Sequence, residues 1–134
     1  MSGIKELDQL LKSMKPHLVD GEFVFCTVEG KLSDYVELDP VGTFIEPEGL
    51  TLVLERSVAE QHQLSFDGAF RMITLTVHSS LEAVGLTAAV STKLAEKGIS
   101  ANVIAAYYHD HIFVQAAKAD LALQALNPSF RSQF

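Results

Sequence analysis

Hydrophobic residues in the first fourteen positions recur every three or four residues, the spacing of one face of a helix. The residues at this spacing are Ile4, Leu7, Leu11 and Met14. Pro16 interrupts the pattern, because proline cannot continue a helix. We therefore predict an N-terminal helix that ends before Pro16, followed by a short strand over residues 17–20.

The pattern then changes to strands separated by turn residues. Residues 22–28 carry apolar side chains on both faces, with Phe23 to Cys26 apolar at consecutive positions, which is typical of a strand covered on both faces. Residues 29–40 are weakly patterned and hold at most one or two helical turns. Residues 43–46 and 50–55 then flank a Pro-Glu-Gly segment of turn formers, and this arrangement predicts a β-hairpin.

A short helix is predicted directly after this hairpin. Ser57 and Glu60 have the Ser-x-x-Glu spacing of a capping box, in which each side chain bonds a backbone N–H of the first helical turn. The helix should extend to about Gln63.

The second half of the chain is patterned more strongly. Residues 71–77 alternate between apolar and more polar positions, as expected for a strand with helices on one side only. A helix should follow from about Ala83 to Lys97, with Val90 and Leu94 on its buried face. Gly98 suits the left-handed residue that ends many helices.

Two further strands, 103–107 and 112–116, are predicted to join through a turn near His109 and Asp110, and a helix over 118–126 follows. The resulting order of strand, helix, strand, strand, helix also describes the first half, with a shortened helical link. The segments 50–63 and 111–124 align without gaps, which pairs Leu52 with Phe113 and Val53 with Val114.

This repeated order predicts an α+β protein of two ferredoxin-like βαββαβ units, with antiparallel sheets and helices on one face. Residues 1–66 would form a degenerate first unit preceded by the N-terminal helix, and residues 67–134 the second unit. Seven strands are predicted for two units. Either the strand at 17–20 completes the second sheet, or the strand at 71–77 is shared.

Composition excludes several classes of protein. The net charge of −7 argues against nucleic-acid binding, which needs clustered Lys and Arg. The apolar stretches are far shorter than the roughly 20 residues of a membrane span. The first ten residues do not resemble a secretory signal, and the lone Cys26 supports no internal disulfide. We expect a soluble, cytoplasmic protein.

Several segments of the second half resemble the ACT domain family in combination. The strand Phe70-Arg71-Met72-Ile73-Thr74-Leu75 precedes the loop Ser80-Leu81-Glu82-Ala83-Val84-Gly85-Leu86; after them come Leu94-Ala95-Glu96-Lys97-Gly98-Ile99 and the Tyr-Tyr-His-Asp-His hairpin at 107–111. The chain most resembles paired ACT units, as in small stand-alone ACT proteins, the arginine-sensing CASTOR proteins and the regulatory regions of aspartate kinase. The first half matches the family in element order only.

The resemblance implies a regulatory protein and not an enzyme. ACT units bind amino acids between paired units and transmit the signal to an enzyme or transporter, here a separate partner. It implies an amino acid or similar small molecule as the ligand. From the residues themselves we expect no cofactor or metal. A homodimer is expected, because so small a unit leaves sheet edges open.

The ligand is expected where the loop at 79–86 enters its helix, because unpaired backbone N–H groups there attract a carboxylate. Asp110 would hold the amino group, and the tyrosines would form a wall or offer a hydroxyl. The predicted ligand-binding residues are Ser79, Ser80, Leu81, Val84, Gly85, Leu86, Tyr107, Tyr108, Asp110, His111 and Ile112.

The sequence also allows other roles for the predicted site residues. Ser79 and Glu82 also form a capping box, which would satisfy the same N–H groups internally. A zinc-type site is suggested by His109, Asp110 and His111, and His78 is available as a further ligand. Polar residues in a turn, however, need no metal to explain them. An interaction module without a metabolite ligand is the second functional hypothesis, and a small enzyme or metal protein using these residues is the third.

Overall fold

The computed structural model describes residues 14–76 and 83–126, which form two compact units. Asp20–Phe70 is the N-terminal unit. Residues 14–19, together with 71–76 and 83–126, form the C-terminal unit. The predicted N-terminal helix lies outside the described residues. None of the helices within the described ranges has the length and hydrophobicity required to span a bilayer.

The described part of the chain contains strands β1 to β7, helices α1 to α3 and three short 3-10 turns. In chain order these are β1 Lys15–Leu18, β2 Phe23–Val28, 3-10 turns Leu32–Asp34 and Val36–Leu38, β3 Gly42–Glu46, β4 Gly49–Glu55, α1 Arg56–Gln61, β5 Phe70–Thr76, α2 Ala83–Glu96, β6 Asn102–Ala105, β7 Asp110–Gln115, 3-10 turn Ala116–Lys118 and α3 Ala119–Leu126.

The N-terminal unit is built on an antiparallel sheet in the order β3, β4, β2. At the far edge of β2, Phe23 pairs with Phe70. One face of the sheet is buried as a cluster that includes Val24 and Cys26 of β2, the leucines of β4, and Ala59 of α1. The predicted strand and hairpin are confirmed, as is the weakly patterned link, which forms two 3-10 turns.

Helix α1 is not capped in the predicted way. It begins at Arg56, its N-cap residue is Glu55, and no side chain caps it. The Ser57 capping box is therefore wrong. Glu60 is used differently, because its Oε2 accepts a hydrogen bond from Arg56 Nε at 3.2 Å, and Arg56 Nη1 also donates to Glu22 Oε1 at 2.8 Å. The backbone N–H of Arg56 donates to the Glu22 carbonyl at 2.8 Å, so β2 satisfies one donor at the helix start.

The C-terminal unit contains an antiparallel pairing that crosses most of the sequence. β1 lies against β5, with Lys15 opposite Thr76 and Leu18 opposite Ile73. The first strand therefore completes the second sheet, whose order is β1, β5, β7, β6. The strand occupies 15–18 and not 17–20, and Pro16 is part of it. The boundary at 66/67 between the two repeats stays a prediction. The compact units divide after Phe70, and β1 belongs to the C-terminal unit although it precedes the N-terminal unit in the chain.

The core of the C-terminal unit lies between one face of its sheet and two helices. The predicted alternation in β5 is confirmed, since Ile73 and Leu75 are buried and their neighbours are half-buried. Val90 and Leu94 of α2 pack in the same cluster, as predicted. The other members include Met14, Ile112, Val114 and the apolar face of α3, which comprises Ala119, Ala122, Leu123 and Leu126.

Helices α1 and α2 end in the same way. Gly98 has a φ of 72°, as predicted for the left-handed residue after a helix, and the N–H groups of Gly98 and Ile99 bond the carbonyls of Ala95 and Leu94. This is the double hydrogen bond of a Schellman motif. After α1 the same two bonds form, but Gln63 holds the left-handed position, with a φ of 59°.

The two hairpins have identical registers at a spacing of 60 residues. Gly42 faces Val53 and Asn102 faces Phe113, and the three following pairs correspond in the same way. Leu52 therefore corresponds to Ile112, not to Phe113, so the predicted alignment was wrong by one position. The second turn was also misplaced, because the Ala106 N–H bonds the His109 carbonyl at 3.0 Å and Asp110 already belongs to β7.

Candidate functional site

Asp110 is the predicted ligand residue that the structure connects to α2. Side chains of a strand alternate between its faces, so Asp110 lies on the same side of β7 as Ile112 and Val114, the side covered by helices. Its Oδ2 accepts a hydrogen bond from Thr87 Oγ1 at 3.2 Å. Thr87 is the fifth residue of α2, so a half-buried carboxylate lies beside the first half of this helix.

His111 points to the opposite side of the sheet. Its Nδ1 lies 2.9 Å from Thr74 Oγ1 on β5. Burial lowers the pKa of His111, and the nearby His109 lowers it further, while Asp110 acts in the opposite direction. The rings of the two histidines are 6.5 Å apart. The buried Nδ1 of His109 has no hydrogen-bond partner among the described residues.

The other predicted residues of the hairpin occupy different environments. Tyr107 and Tyr108 form the tip and are 93% and 82% exposed, with their rings edge to face at a centroid distance of 5.0 Å. Ile112 is completely buried in the C-terminal core. Ile112 therefore stabilises the fold, and the tyrosines are accessible to a ligand or partner.

Three of the remaining predicted residues belong to α2. Val84, Gly85 and Leu86 lie in its first described turns. Ser79, Ser80 and Leu81 lie outside the described residues, as do His78 and Glu82. Of the predicted site residues that the structure describes, Asp110 forms a hydrogen bond with a side chain of α2. The predicted hairpin residues thus lie in four different places. Asp110 is on the helix side of the sheet, His111 is on the opposite face, Tyr107 and Tyr108 are at the hairpin tip, and Ile112 is in the core.

Metal and thiol chemistry have little basis in the described geometry. No group of three or more His, Cys, Asp or Glu able to hold a metal ion occurs within residues 14–76 and 83–126. Cys26 is buried in the N-terminal core, and this burial raises the pKa of its thiol. A raised pKa reduces the thiolate fraction and so the reactivity of the group.

Sequence patterns missed two features of the structure. Thr87 lies within a helical pattern and has no local signal that it faces Asp110. The second feature is an open cleft of about 500 Å³ in the N-terminal unit, lined by residues 28–32 and 45–50. Its hairpin residues correspond at the 60-residue spacing to 105–110, so a correct alignment of the repeats would have indicated this place.

The fold consists of two ferredoxin-like units, and the link between the first two strands of the N-terminal unit is shortened. Comparison with known proteins identifies the family that has this fold. Two family models, both described as ACT domain, match residues 2–71 and 69–128. The chain belongs to the ACT domain family, with two domains in tandem. A search of the curated proteins finds no match.

Solved structures show the same fold. A Vibrio cholerae protein of unknown function, a possible transport protein, is 67% identical with a TM-score of 0.86, over 92% of this chain and 95% of that one. The ligand-free regulatory subunit of Thermus thermophilus aspartate kinase is 9% identical, with a TM-score of 0.63 over 87% and 97%. Clostridium acetobutylicum aspartate kinase is 9% identical, with 0.61 over 88% and 34%.

Proposed function

We propose that this protein binds an amino acid in its C-terminal unit, beside Asp110 and the start of α2, and thereby regulates a separate enzyme or transporter. The observation that carries the proposal is the hydrogen bond from Thr87 to Asp110. It holds a carboxylate beside the first half of a 14-residue helix. ACT domains are regulatory domains and not catalytic ones, which supports a regulatory role without catalysis.

The chemistry of an amino acid matches these groups. An ammonium group forms strong hydrogen bonds with a carboxylate, so Asp110 is the acceptor in our proposal. The ligand carboxylate would bond backbone N–H groups in the first turn of α2, where the helix dipole favours negative charge. Thr87 would position Asp110, and the exposed Tyr107 and Tyr108 would extend the site at the hairpin tip.

The remaining parts of the proposal concern partners. The Vibrio cholerae relative is a possible transport protein, and structural neighbours are regulatory parts of aspartate kinase. These neighbours support a transporter or an enzyme as the regulated partner. We also propose a homodimer, because the exposed strand β6 and the open edge of β3 leave backbone groups available for pairing. We propose the cytoplasm as its location, because the lone Cys26 supports no internal disulfide.

The proposal is tested by thermal melting and calorimetric titration of the full chain against the twenty amino acids. We expect one amino acid, or a closely related group, to raise the melting temperature in a saturable way. Asp110→Asn should weaken binding at least about tenfold, because the charged acceptor is lost. Asp67→Asn, which changes an exposed carboxylate of the N-terminal unit, is the matched control.

Thr87→Val separates positioning from direct contact. This variant keeps the shape of the side chain but removes the donor to Asp110, so binding should weaken by less than in Asp110→Asn. Binding that is unchanged in both variants would place the ligand elsewhere. A folded protein that responds to none of the amino acids would reject the proposal.

A protein-interaction module without a metabolite ligand is the second candidate. The specific observation in its favour is the exposure of large apolar side chains at both hairpins, Phe44 and Ile45 in the first and Tyr107 and Tyr108 in the second. Exposed apolar groups at sheet edges are common at protein contacts. This function predicts that Tyr107→Ser/Tyr108→Ser reduces self-association, measured by sedimentation, without any effect of amino acids.

A further inference from the structure

The open cleft of the N-terminal unit lies at the place that corresponds to the proposed ligand site. Its walls are the end of β2 with the following loop, residues 28–32, and the first hairpin, residues 45–50. The hairpin wall corresponds in register to residues 105–110 of the C-terminal unit. Its volume of about 500 Å³ is within the roughly 300–1,000 Å³ of small-molecule sites.

The loop wall of the cleft is held by hydrogen bonds within the N-terminal unit. The Tyr35 hydroxyl donates to the Glu29 carbonyl, and the backbone N–H of Lys31 donates to Asp34 Oδ2 at 3.1 Å. Because these bonds lie within the loop itself, binding would require little further ordering of the loop. Preorganisation of this kind favours affinity.

The hairpin wall is equally constrained. A Cβ on Gly49 would lie 2.7 Å from Thr27 Oγ1 and 3.1 Å from the Val28 carbonyl, so the turn packs directly against the end of β2. Glu46 Oε1 accepts a hydrogen bond from the Thr51 hydroxyl. The cleft is therefore bounded by backbone that other contacts already hold in place.

The cleft combines an apolar floor with an acidic rim. Leu50 is 4% exposed and occupies the position equivalent to Asp110, so the floor carries no charge where the second unit has a carboxylate. Val28 and Leu32 contribute to the same apolar surface. Glu29, Glu46, Glu48 and Lys31 are the charged lining residues and are all exposed, with carboxylates outnumbering the single ammonium.

We propose that this cleft is a second ligand site, which binds a small amine with an apolar body. The apolar body would lie against Val28, Leu32 and Ile45, because removing apolar surface from water supplies binding energy. The ammonium would face the carboxylates of Glu46 and Glu48 at the hairpin wall. The site does not use Asp110 and is independent of the proposed function of the C-terminal unit.

Three compounds that share the same branched five-carbon apolar body test the chemistry. 3-Methylbutylamine carries the apolar body with an ammonium, 4-methylpentanoate carries it with a carboxylate, and L-leucine carries both groups. Each is titrated into uniformly ¹⁵N-labelled full-length protein, and backbone amide shifts are followed. We expect 3-methylbutylamine to shift the amides of residues 28–32 and 45–50 in a saturable way, with a smaller response to leucine and none to 4-methylpentanoate.

Neighbouring residues of β3 offer a matched pair of variants. Ile45 faces Leu50 across the hairpin and lines the cleft, whereas Phe44 faces Thr51 on the other side of the strand. They are 84% and 71% exposed, so neither substitution disturbs the core. Ile45→Trp should obstruct the cleft and abolish the amine-induced shifts, and Phe44→Trp should leave them unchanged.

A second pair tests the charge. Glu48→Gln should weaken amine binding about threefold, as expected for an exposed charge interaction. Glu37→Gln removes an exposed carboxylate that does not line the cleft and should have no effect. Asp110→Asn should also have no effect, so this site and that of the C-terminal unit can fail separately.

Three outcomes would overturn the inference. The first is no saturable shift at residues 28–32 and 45–50 with the amine at 20 mM. The second is an equal response to the amine and the carboxylate, which would mean that the acidic rim does not select charge. The third is amine binding that survives Ile45→Trp.

Discussion

The two hairpins of this protein share one backbone design and differ in the side chains placed on it. Both pair their strands in the same register, both close with a two-residue turn, and both lead into a helix whose buried alanine is equivalent, Ala59 and Ala119. At another equivalent position the first unit has Leu50, which is buried, and the second has Asp110, which bonds α2.

The connections that precede the hairpins differ as well. In the N-terminal unit two 3-10 turns connect β2 to β3, with Leu38 buried as their anchor. In the C-terminal unit the 14-residue α2 occupies this place in the order of elements and provides Thr87 as the partner of Asp110. The two repeats therefore share one strand register, and the residue that packs against each position determines whether that position is apolar or charged.

The largest expected effect breaks the comparison at its most different position. Leu50→Asp places a carboxylate in the N-terminal core and should lower the free energy of unfolding by about 4 kcal/mol or more. Asp110→Leu should cost less than about 1 kcal/mol, because added apolar contact offsets the lost hydrogen bond. Urea denaturation measures both.

Leu50→Asn is the control for this pair, because it has the size of aspartate without the charge. It should destabilise less than Leu50→Asp at pH 7 and equally at a pH where the carboxylate is protonated. Similar losses from Leu50→Asp and Asp110→Leu would mean that the two positions are not environments of opposite polarity.

A smaller effect is expected where the two helices end. Gln63→Gly should raise the free energy of unfolding by about 0.5–1 kcal/mol, because glycine adopts the left-handed conformation without a steric cost. Gly98→Gln should lower it by about 1–2 kcal/mol for the same reason. A Cβ on Gly98 would meet nothing within 4 Å, so the backbone conformation alone sets this cost.

Thermal or urea unfolding of the two variants gives opposite signs if both helix ends are Schellman motifs. Gln63→Ala is the control, because alanine removes the side chain but keeps the Cβ that disfavours this conformation. Stabilisation by Gln63→Ala equal to that by Gln63→Gly would attribute the effect to the side chain and not to the backbone.

The smallest effect concerns the pair Thr51 and His111, which occupy equivalent positions. The pKa of His111 is lowered from 6.5 chiefly by burial, so the folded state binds its proton less readily than the unfolded chain. The folded state is therefore most stable with respect to His111 above pH 6.5, where the ring is neutral in both states. This part of the free energy of unfolding is lost as the pH falls from 6.5 through the lowered pKa of the folded state. His111→Gln should flatten this part of the pH–stability curve.

Thr51→Val supplies the comparison, because no titratable side chain occupies this position of the first hairpin. In the pH range where His111 titrates, the pH dependence of unfolding should be the same in Thr51→Val as in the unmodified chain. An NMR titration of the His111 ring gives the pKa directly, and a value above 6.5 would contradict the expectation.

Much of the fold was predictable, because it depends on patterns that are local. Alternation in β5 predicted Ile73 and Leu75 as core residues, and the Pro-Glu-Gly segment predicted the first hairpin. The ACT resemblance predicted the family. The predicted capping box at Ser57 was wrong, because the spacing of a capping box does not ensure its hydrogen bonds. The second turn was misplaced, because polar residues continue past the turn into β7.

The candidate site was less predictable for a physical reason. Asp110 and His111 are consecutive in sequence, but the strand directs them to opposite faces. Thr87 meets Asp110 across 23 positions of sequence, and no spacing rule connects them. Tyr107, Tyr108 and Ile112 are near Asp110 in the chain, yet two are at an exposed tip and one is in the core.

The sequence by itself determined most of the strands, the helix that begins near Ala83, the glycine at its end and the membership in the ACT family, since each depends on residues close in the chain or on a specific combination of motifs. Only the tertiary structure decided that β1 completes the second sheet, that the repeats align at 60 residues, and that Thr87 reaches Asp110. These features depend on hydrogen bonds and packing between distant segments, which local propensity does not encode.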